Sequence, residues 1–305
     1  QIYTEQKGLT ASERDLRRSK GLAMDGFMEV SDKYFTGERA MFGTRGAAIT
    51  RCTFGDGESP LKESGDLKIT DTLFKWKYPL WYCENVELDG CTFYETARAG
   101  VWYTNNFAFS RGIIEAPKTF RRCRGITLDD VFLPHAEETL WNCADVKLRN
   151  VRARGDYFAM NVCGAEIENF DLVGNYGFDG AKNVTIKNAR MLTKDAFWNS
   201  ENVTVIDSFI SGEYLGWNAK NLTLINCTVE SLQGMCYIEN LVMKNCRTAD
   251  TTLAFEYSSV DADIEGRIDS VFNPSSGTIA AGDIGELTLD PSRVDPSKTT
   301  VRRKG

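Results

Sequence analysis

Histidine is almost missing from this chain: His135 is the only one in 305 residues. A Ser-His-Asp or Cys-His arrangement would have to use it, and nothing places an exposed nucleophile beside it. Pro134-His135-Ala136 reads as a bend, with the imidazole on a surface loop. Zinc is excluded on similar grounds, since the nine cysteines contain no CxxC pair. Basic residues are outnumbered, 36 Lys and Arg against 43 Asp and Glu, for a net charge of −7. That balance disfavours nucleic acid or an anionic membrane surface as a partner. No apolar run approaches the ~20 residues a membrane span requires. No signal peptide is legible, although the chain opens at Gln1, which leaves a removed leader open. The cysteine count is odd, and free buried thiols fit a reducing compartment, so the expected location is the cytoplasm. No cofactor or metal is expected.

What the chain has instead is a repeat of about nineteen residues. Asn183-Val-Thr-Ile-Lys-Asn-Ala, Asn202-Val-Thr-Val-Ile-Asp-Ser, Asn221-Leu-Thr-Leu-Ile-Asn-Cys and Asn240-Leu-Val-Met-Lys-Asn-Cys are consecutive copies, and Asp145-Val-Lys-Leu-Arg-Asn-Val is an earlier one. Taking the first apolar residue of each copy as a zero point gives Ala47, Leu67, Val86, Phe107, Ile126, Val146, Ala165, Val184, Val203, Leu222 and Leu241. A fixed period of this kind is the mark of a stacked solenoid. A second apolar position follows two residues later, with polar residues often between, which is the alternation of a half-buried strand. Many of these residues are β-branched, which favours strand over helix. The leucine-rich repeat is the main rival at this length, but its leucine spacing is absent.

Four residues after each zero point stands a column rich in Asn and Asp, including Asn150, Asn169, Asn188, Asp207, Asn226 and Asn245. One residue before zero stands another: Asn85, Asn106, Asp145, Asn183, Asn202, Asn221 and Asn240. Asn and Asp tolerate left-handed backbone, so both columns read as corners with stacked side-chain ladders. A third strand precedes the second corner. The predicted fold is all-β, a single-stranded right-handed parallel β-helix with three short strands per turn and about 11–12 turns, roughly 55 Å long at the strand spacing. Residues 1–40 read as an N-terminal cap, with short strands at 28–30 and 33–35; 41–275 read as the helix and 276–305 as a C-terminal tail or cap.

Five of the six tryptophans, Trp81, Trp102, Trp141, Trp198 and Trp217, share one register five residues before zero. This column reads either as a stacked aromatic core or as an exposed platform for sugar faces. Asp179 and Arg121 interrupt it. Seven of the cysteines fall into two columns, Cys52, Cys91, Cys227 and Cys246 in one and Cys83, Cys123 and Cys143 in the other. Both read as small buried side chains that resist alkylation in the native state.

Charge gathers just before the third strand. Nine and eight residues before zero lie Glu137, Glu138, Asp156, Lys194, Asp195 and Glu213, in the company of Tyr78, Arg98, Tyr157, Tyr176 and Tyr214. Copies one turn apart lie about 5 Å apart along the rod. Paired carboxylates at such spacings suit glycoside hydrolysis, and Lys194 or Arg98 suits the base of a β-elimination. The candidate catalytic set is therefore Glu137, Glu138, Asp156, Lys194, Asp195 and Glu213. The candidate substrate-binding set is Tyr78, Arg98, Tyr157, Tyr176, Asp179 and Tyr214. The plain alternative is a solvated bend with alternating charges.

The repeat and its Asn ladders resemble the pectin-lyase-like superfamily of right-handed β-helices. Lys77-Tyr-Pro-Leu-Trp-Tyr, Ala116-Pro-Lys-Thr-Phe-Arg-Arg, Glu138-Thr-Leu-Trp-Asn, Gly155-Asp-Tyr-Phe and Gly212-Glu-Tyr-Leu-Gly-Trp-Asn look like an uncharacterised bacterial domain-of-unknown-function family within it, over roughly residues 36–275. The resemblance implies the fold. Its better-known members act on polysaccharides, but the Asn-Thr-Asp, Asp-Asp, His-Gly and Arg-Ile-Lys set of polygalacturonases and the Trp-Ile-Asp-His of pectate lyases are absent. Two functions follow: a carbohydrate-binding or polysaccharide-active protein, of lyase or hydrolase type, using a groove along the third strand; or a non-catalytic binding or scaffold module.

Overall fold

The structure, a computed structural model, describes residues 26–305; most of the expected N-terminal cap lies outside them. Its backbone winds into a parallel β-helix of about 15 turns. Every zero point predicted from the repeat pairs with the next one, from Ala47↔Leu67 through Val146↔Ala165 to Leu222↔Leu241. The same register begins one rung earlier, at Met28↔Ala47, and runs on through Leu241↔Val260, Val260↔Gly277 and Gly277↔Thr299. The segments read as 28–30 and 33–35 form the strands Met28–Ser31 and Tyr34–Phe35, and they are part of the stack. The strands Ser276–Thr288 and Thr299–Arg303 likewise continue it. At one strand spacing per rung the rod is about 70 Å long.

Each turn has a first side of about six residues, as in Gly65–Thr70, and a second side as short as Leu73–Phe74. In the middle of the rod the two merge into bent strands such as Cys163–Val173 and Lys182–Leu192. The bends are left-handed residues, Asn169 at φ 53° and Asn188 at φ 53°. The third side is shorter still. Two left-handed residues only four apart, Tyr78 and Tyr82 in one turn, leave three residues between them. Extended pairing survives there at Val101–Trp102 with Phe120–Arg121 and at single bridges from Arg121 to Trp141 and from Ala254 to Val271. Rung-to-rung backbone bonds nevertheless persist, as from the Phe178 N–H to the Ala196 carbonyl at 2.9 Å.

Four left-handed columns therefore turn the chain. Asn recurs in three of them because its short side chain suits that backbone and bonds to the rung below. Asn202 Nδ2 donates to Asn183 Oδ1 at 3.0 Å, and Asn221 and Asn240 repeat the contact at 2.8 Å each. Inside, one hydrophobic core runs the length of the rod. Like stacks on like: Phe35, Phe54, Phe74 and Phe93 follow one another at 4.7–5.3 Å between ring centroids.

The cysteine columns face inward, and their chemistry is that of small hydroxyls. Cys83 Sγ donates to the Leu61 carbonyl at 3.2 Å, as Thr104 Oγ1, one rung on, does to Leu80 at 2.7 Å. Burial pushes the Cys83 and Cys91 thiols up to about 12. All nine cysteines are free, and Cys163 alone is exposed, because it lies on the outward-facing register of its strand.

Two outcomes follow. In the folded protein one thiol per chain, Cys163, reacts promptly with a maleimide while eight wait for unfolding; mass spectrometry after a short pulse counts them, and several fast-labelled sites would contradict the buried columns. In the ladder, Asn202→Ala lowers stability by about 2 kcal/mol, since it loses hydrogen bonds and places Cβ on left-handed backbone. Asn202→Gly costs about 1 kcal/mol less. Equal midpoint shifts in denaturant for the two variants would remove the backbone part of this account.

Candidate functional site

The third side carries the aromatic column. The residue just before each tryptophan points inward: Leu80, Val101, Leu140 and Phe197 are fully buried. The tryptophans themselves are only half-buried, so their column is the outer one. Their rings are fixed by the backbone of the next rung. Trp81 Nε1 donates to the Ala99 carbonyl at 2.6 Å, Trp102 to Lys118 at 2.9 Å and Trp141 to Tyr157 at 2.7 Å. The Trp198 indole nitrogen is buried and makes no such bond.

Ring stacking runs along this side in a nearly continuous row. Tyr78 leans on Trp81 at 4.6 Å, and Trp81 lies flat on Trp102 at 4.9 Å. Arg121 takes the next place in the column, 4.5 Å from the Trp102 ring and 4.9 Å from Trp141. Tyr157 stacks on Tyr176 at 4.8 Å, while Tyr176 meets Trp198 tilted at 6.2 Å. Above that, Trp217 stacks on Tyr237 at 4.4 Å. Rings lying flat on one another offer only edges to a ligand. The row loosens at Trp141 and Tyr157, which meet edge-on at 6.4 Å, and again at Tyr176 and Trp198.

A short motif builds the approach to this stretch: Gly155-Asp-Tyr, Gly174-Asn-Tyr and Gly212-Glu-Tyr occupy equivalent places. A Cβ on Gly174 would fall 1.9 Å from the Gly155 carbonyl oxygen, so only glycine lets these rungs approach. The tyrosine two residues later is left-handed, at φ 55° in Tyr157 and 57° in Tyr176.

The predicted charges share this side but play different parts. Glu137 is exposed, as is Arg98, which makes no ion pair among the described residues. Glu138 is held by Lys118 at 3.2 Å and Arg121 at 3.4 Å. Asp156 accepts the Asn175 backbone N–H at 2.7 Å, and Asn175 Oδ1 accepts that of Lys194 at 3.1 Å, so both serve as rung connectors. Glu213 pairs with Lys194 at 3.5 Å, and the Lys194 ammonium lies 5.6 Å from the Tyr214 ring centre. Asp179 and Asp195 are different: each is half-buried, and neither forms an ion pair among the described residues. Burial raises the Asp179 carboxyl above the usual carboxylate range, against a hydrogen bond with Asn199 that lowers it. Burial also raises Asp195; Lys194 draws it down, while Glu213 and Asp179 push it up. Tyr157 is raised by burial and then by the negative groups around it, Asp179 and Asp195 among them. The structure thus joins Tyr157, Tyr176 and Trp198 by ring contacts, groups Lys194 with Glu213 and Tyr214, and sets Glu138 against Arg121 further down the rod.

Trp198 and Arg121 were absent from the sequence-derived sets, although both stand in the tryptophan register. Two surface grooves lie elsewhere. One, of about 390 Å³, crosses the outer face of the first side at Thr127, Lys147, Glu166 and Thr185. The other, of about 500 Å³, follows the Asn ladder at Asn150, Asn169 and Asn188 beside Arg152 and Arg190. Their charges alternate from rung to rung. No helix among the described residues is long and apolar enough to cross a membrane.

The raised carboxyls set a sign for stability. A carboxyl that holds its proton more tightly folded than unfolded stabilises the fold when protonated, and that contribution is lost as pH climbs through its unfolded value towards the raised one. Asp179→Asn and Asp195→Asn therefore unfold at a higher temperature than the parent at pH 7, and the gap closes below about pH 4. Thermal scans at both pH values check this; lower melting of both variants at pH 7 would mean that partners, not burial, govern these groups.

Solved structures of similar outline include the surface adhesin PfbA of Streptococcus pneumoniae, at 10% identity and a TM-score of 0.40 over 86% of this chain and 81% of that one. The A-module of the Azotobacter vinelandii mannuronan C-5 epimerase AlgE6 matches at 9% identity and 0.46, over 88% and 92%. The tailspike protein of E. coli bacteriophage HK620, solved with a pentasaccharide, matches at 9% and 0.47, over 86% and 72%. No curated protein matches in sequence. The stacked register and the sequence between Met28 and Arg302 place the chain in a family: residues 28–302 match the protein family of unknown function DUF3737, and the chain belongs to it.

Proposed function

We propose that this protein binds a polysaccharide along the third side of its β-helix, centred on Tyr157, Tyr176, Trp198 and Tyr214. The observation that supports this best is the half-buried aromatic row along the third side, which runs through Tyr157, Tyr176 and Trp198. Half-buried rings lose little freedom on meeting a sugar face, and carboxylates next to them accept hydrogen bonds from hydroxyls. The rod offers such rings over many rungs, which suits a chain rather than a single sugar.

A catalytic reading attaches to the same stretch and rests on Asp179 and Asp195. They are two half-buried carboxyls whose proton affinity burial raises, the direction a general acid needs. Glu138, Asp156 and Glu213 are already engaged by cations or backbone, so they serve this reading less well.

Tryptophan fluorescence titrated with a panel of oligosaccharides tests the proposal. The expected result is a saturable change that Trp198→Ala weakens at least tenfold, with Trp81→Ala nearly neutral. Absence of binding across a broad glycan panel would end the proposal. Incubation with any binding chain, followed by assays for reducing ends and unsaturated product, decides the catalytic reading, which fails if Asp195→Asn leaves product formation unchanged.

A further inference from the structure

The outer face of the first side changes character along the rod. Two columns point outward there, one and three residues after each zero point. From Val146 to Val184 they are charged, with Lys147 and Arg149, then Glu166 and Glu168, then Lys187. The next two rungs carry no charge in these columns: Thr204 with Ile206, then Thr223 with Ile225. Charge returns at Lys244 and at Asp261 with Asp263. Ile206, Ile225 and Val242 point outward, and their own chain leaves them half-buried. Asn202 and Asn221 border this strip on one edge, and Asp207 and Asn226 on the other. An apolar centre inside a polar rim is the layout of a protein interface.

The same columns are complementary to themselves when reversed. Two copies can meet on this face with their rods antiparallel and a two-fold axis along the strand of Thr204 and Ile206. Those two residues then meet their own counterparts. One rung out, Thr185 meets Thr223 of the second copy, and the stem of Lys187 covers its Ile225. Two rungs out, Glu168 meets Lys244. Three rungs out, Lys147 meets Asp261 and Arg149 meets Asp263. The two-fold axis makes each of these opposite-charge pairs twice, and no like charges oppose. Other arrangements lose this match. Half a rung one way sets Lys187 against Lys244, and half a rung the other way sets Arg149 against Lys244. Parallel rods set Lys147 against Arg149 and Glu166 against Glu168.

We propose that this face is a dimer interface holding a second copy of the chain antiparallel, with the axis at Thr204 and Ile206. The overlap runs from the rung of Thr127 to that of Thr278, about 40 Å by about 20 Å, or about 800 Å² on each copy, the size of a standard interface. The groove of about 390 Å³ at Lys147 and Glu166 lies inside the overlap, opposite Asp261 and Val242 of the second copy. The aliphatic centre supplies the attraction, and the charges select the register. The aromatic row of the third side takes no part, so this inference stands apart from the polysaccharide reading.

Sedimentation of the full chain at micromolar concentration tests the proposal, with twice the chain mass expected. Ile206→Asp places two carboxylates on the axis and weakens the dimer at least a hundredfold. Lys147→Glu weakens it at least tenfold, and adding Asp261→Lys restores it. These two positions lie about 29 Å apart within one chain, so only contact between copies produces the rescue. The dimer also loosens in 0.5 M salt. Thermal melts of the variants, expected close to the parent value, separate lost association from lost folding. A parent chain that stays monomeric overturns the proposal. So does a dimer that Ile206→Asp leaves intact, and a charge swap without rescue overturns the antiparallel register.

Discussion

Everything in this molecule hangs on the in-register backbone hydrogen bond between one turn and the next. It repeats at the strand spacing of about 4.8 Å, so every side chain has its counterpart from the neighbouring turn as its closest companion. A residue type survives in a column only if it tolerates itself. Phenylalanine does so by stacking, and asparagine does so because it is both donor and acceptor. Thiols and hydroxyls do so by reaching one turn back to a carbonyl, which is why Cys83 and Thr104 are interchangeable there.

Charged residues cannot stack on their own kind, and the first side shows the remedy. Asp129, Arg149, Glu168 and Lys187 alternate in sign along one column, and Lys147 and Glu166 do so in the next. Exposed pairs of this kind add little stability, typically under about 1 kcal/mol each. Their value lies in avoiding the repulsion that unbroken columns would impose. The fold therefore sets a standard against which a departure can be judged, and such departures concentrate on the third side.

The repeat made most of the architecture legible. Each zero point named from sequence is paired with the next, because inward residues must stay apolar and corner residues must accept left-handed backbone. The direction of the tryptophan column was harder to read. Alternation tells inside from outside only over several residues, and the third side offers three between its corners. The signal was present in the interruptions: a column that accepts Arg121 and Asp179 is not a core column, whereas the one before it holds Leu80, Val101, Phe120, Leu140, Phe178 and Phe197, all buried. Val260 continues the aliphatic signature one rung beyond Leu241, but the zero points after it, Gly277 and Thr299, lack it and their spacing drifts, so the last rungs were not legible although the backbone pairing continues through them.

The candidate site was legible only as a neighbourhood. Sequence columns brought the charged and aromatic residues to one side of the rod, but could not tell which carboxylates the fold uses for itself. Glu138 and Glu213 answer cations, and Asp156 ties one rung to the next. These are the tasks that stacking sets, and they account for those residues without a ligand. Asp179 and Asp195 form no ion pair among the described residues and are held where water reaches them only in part, though Asp179 bonds Asn199 of the next rung and Asp195 is itself a left-handed corner at φ 49°.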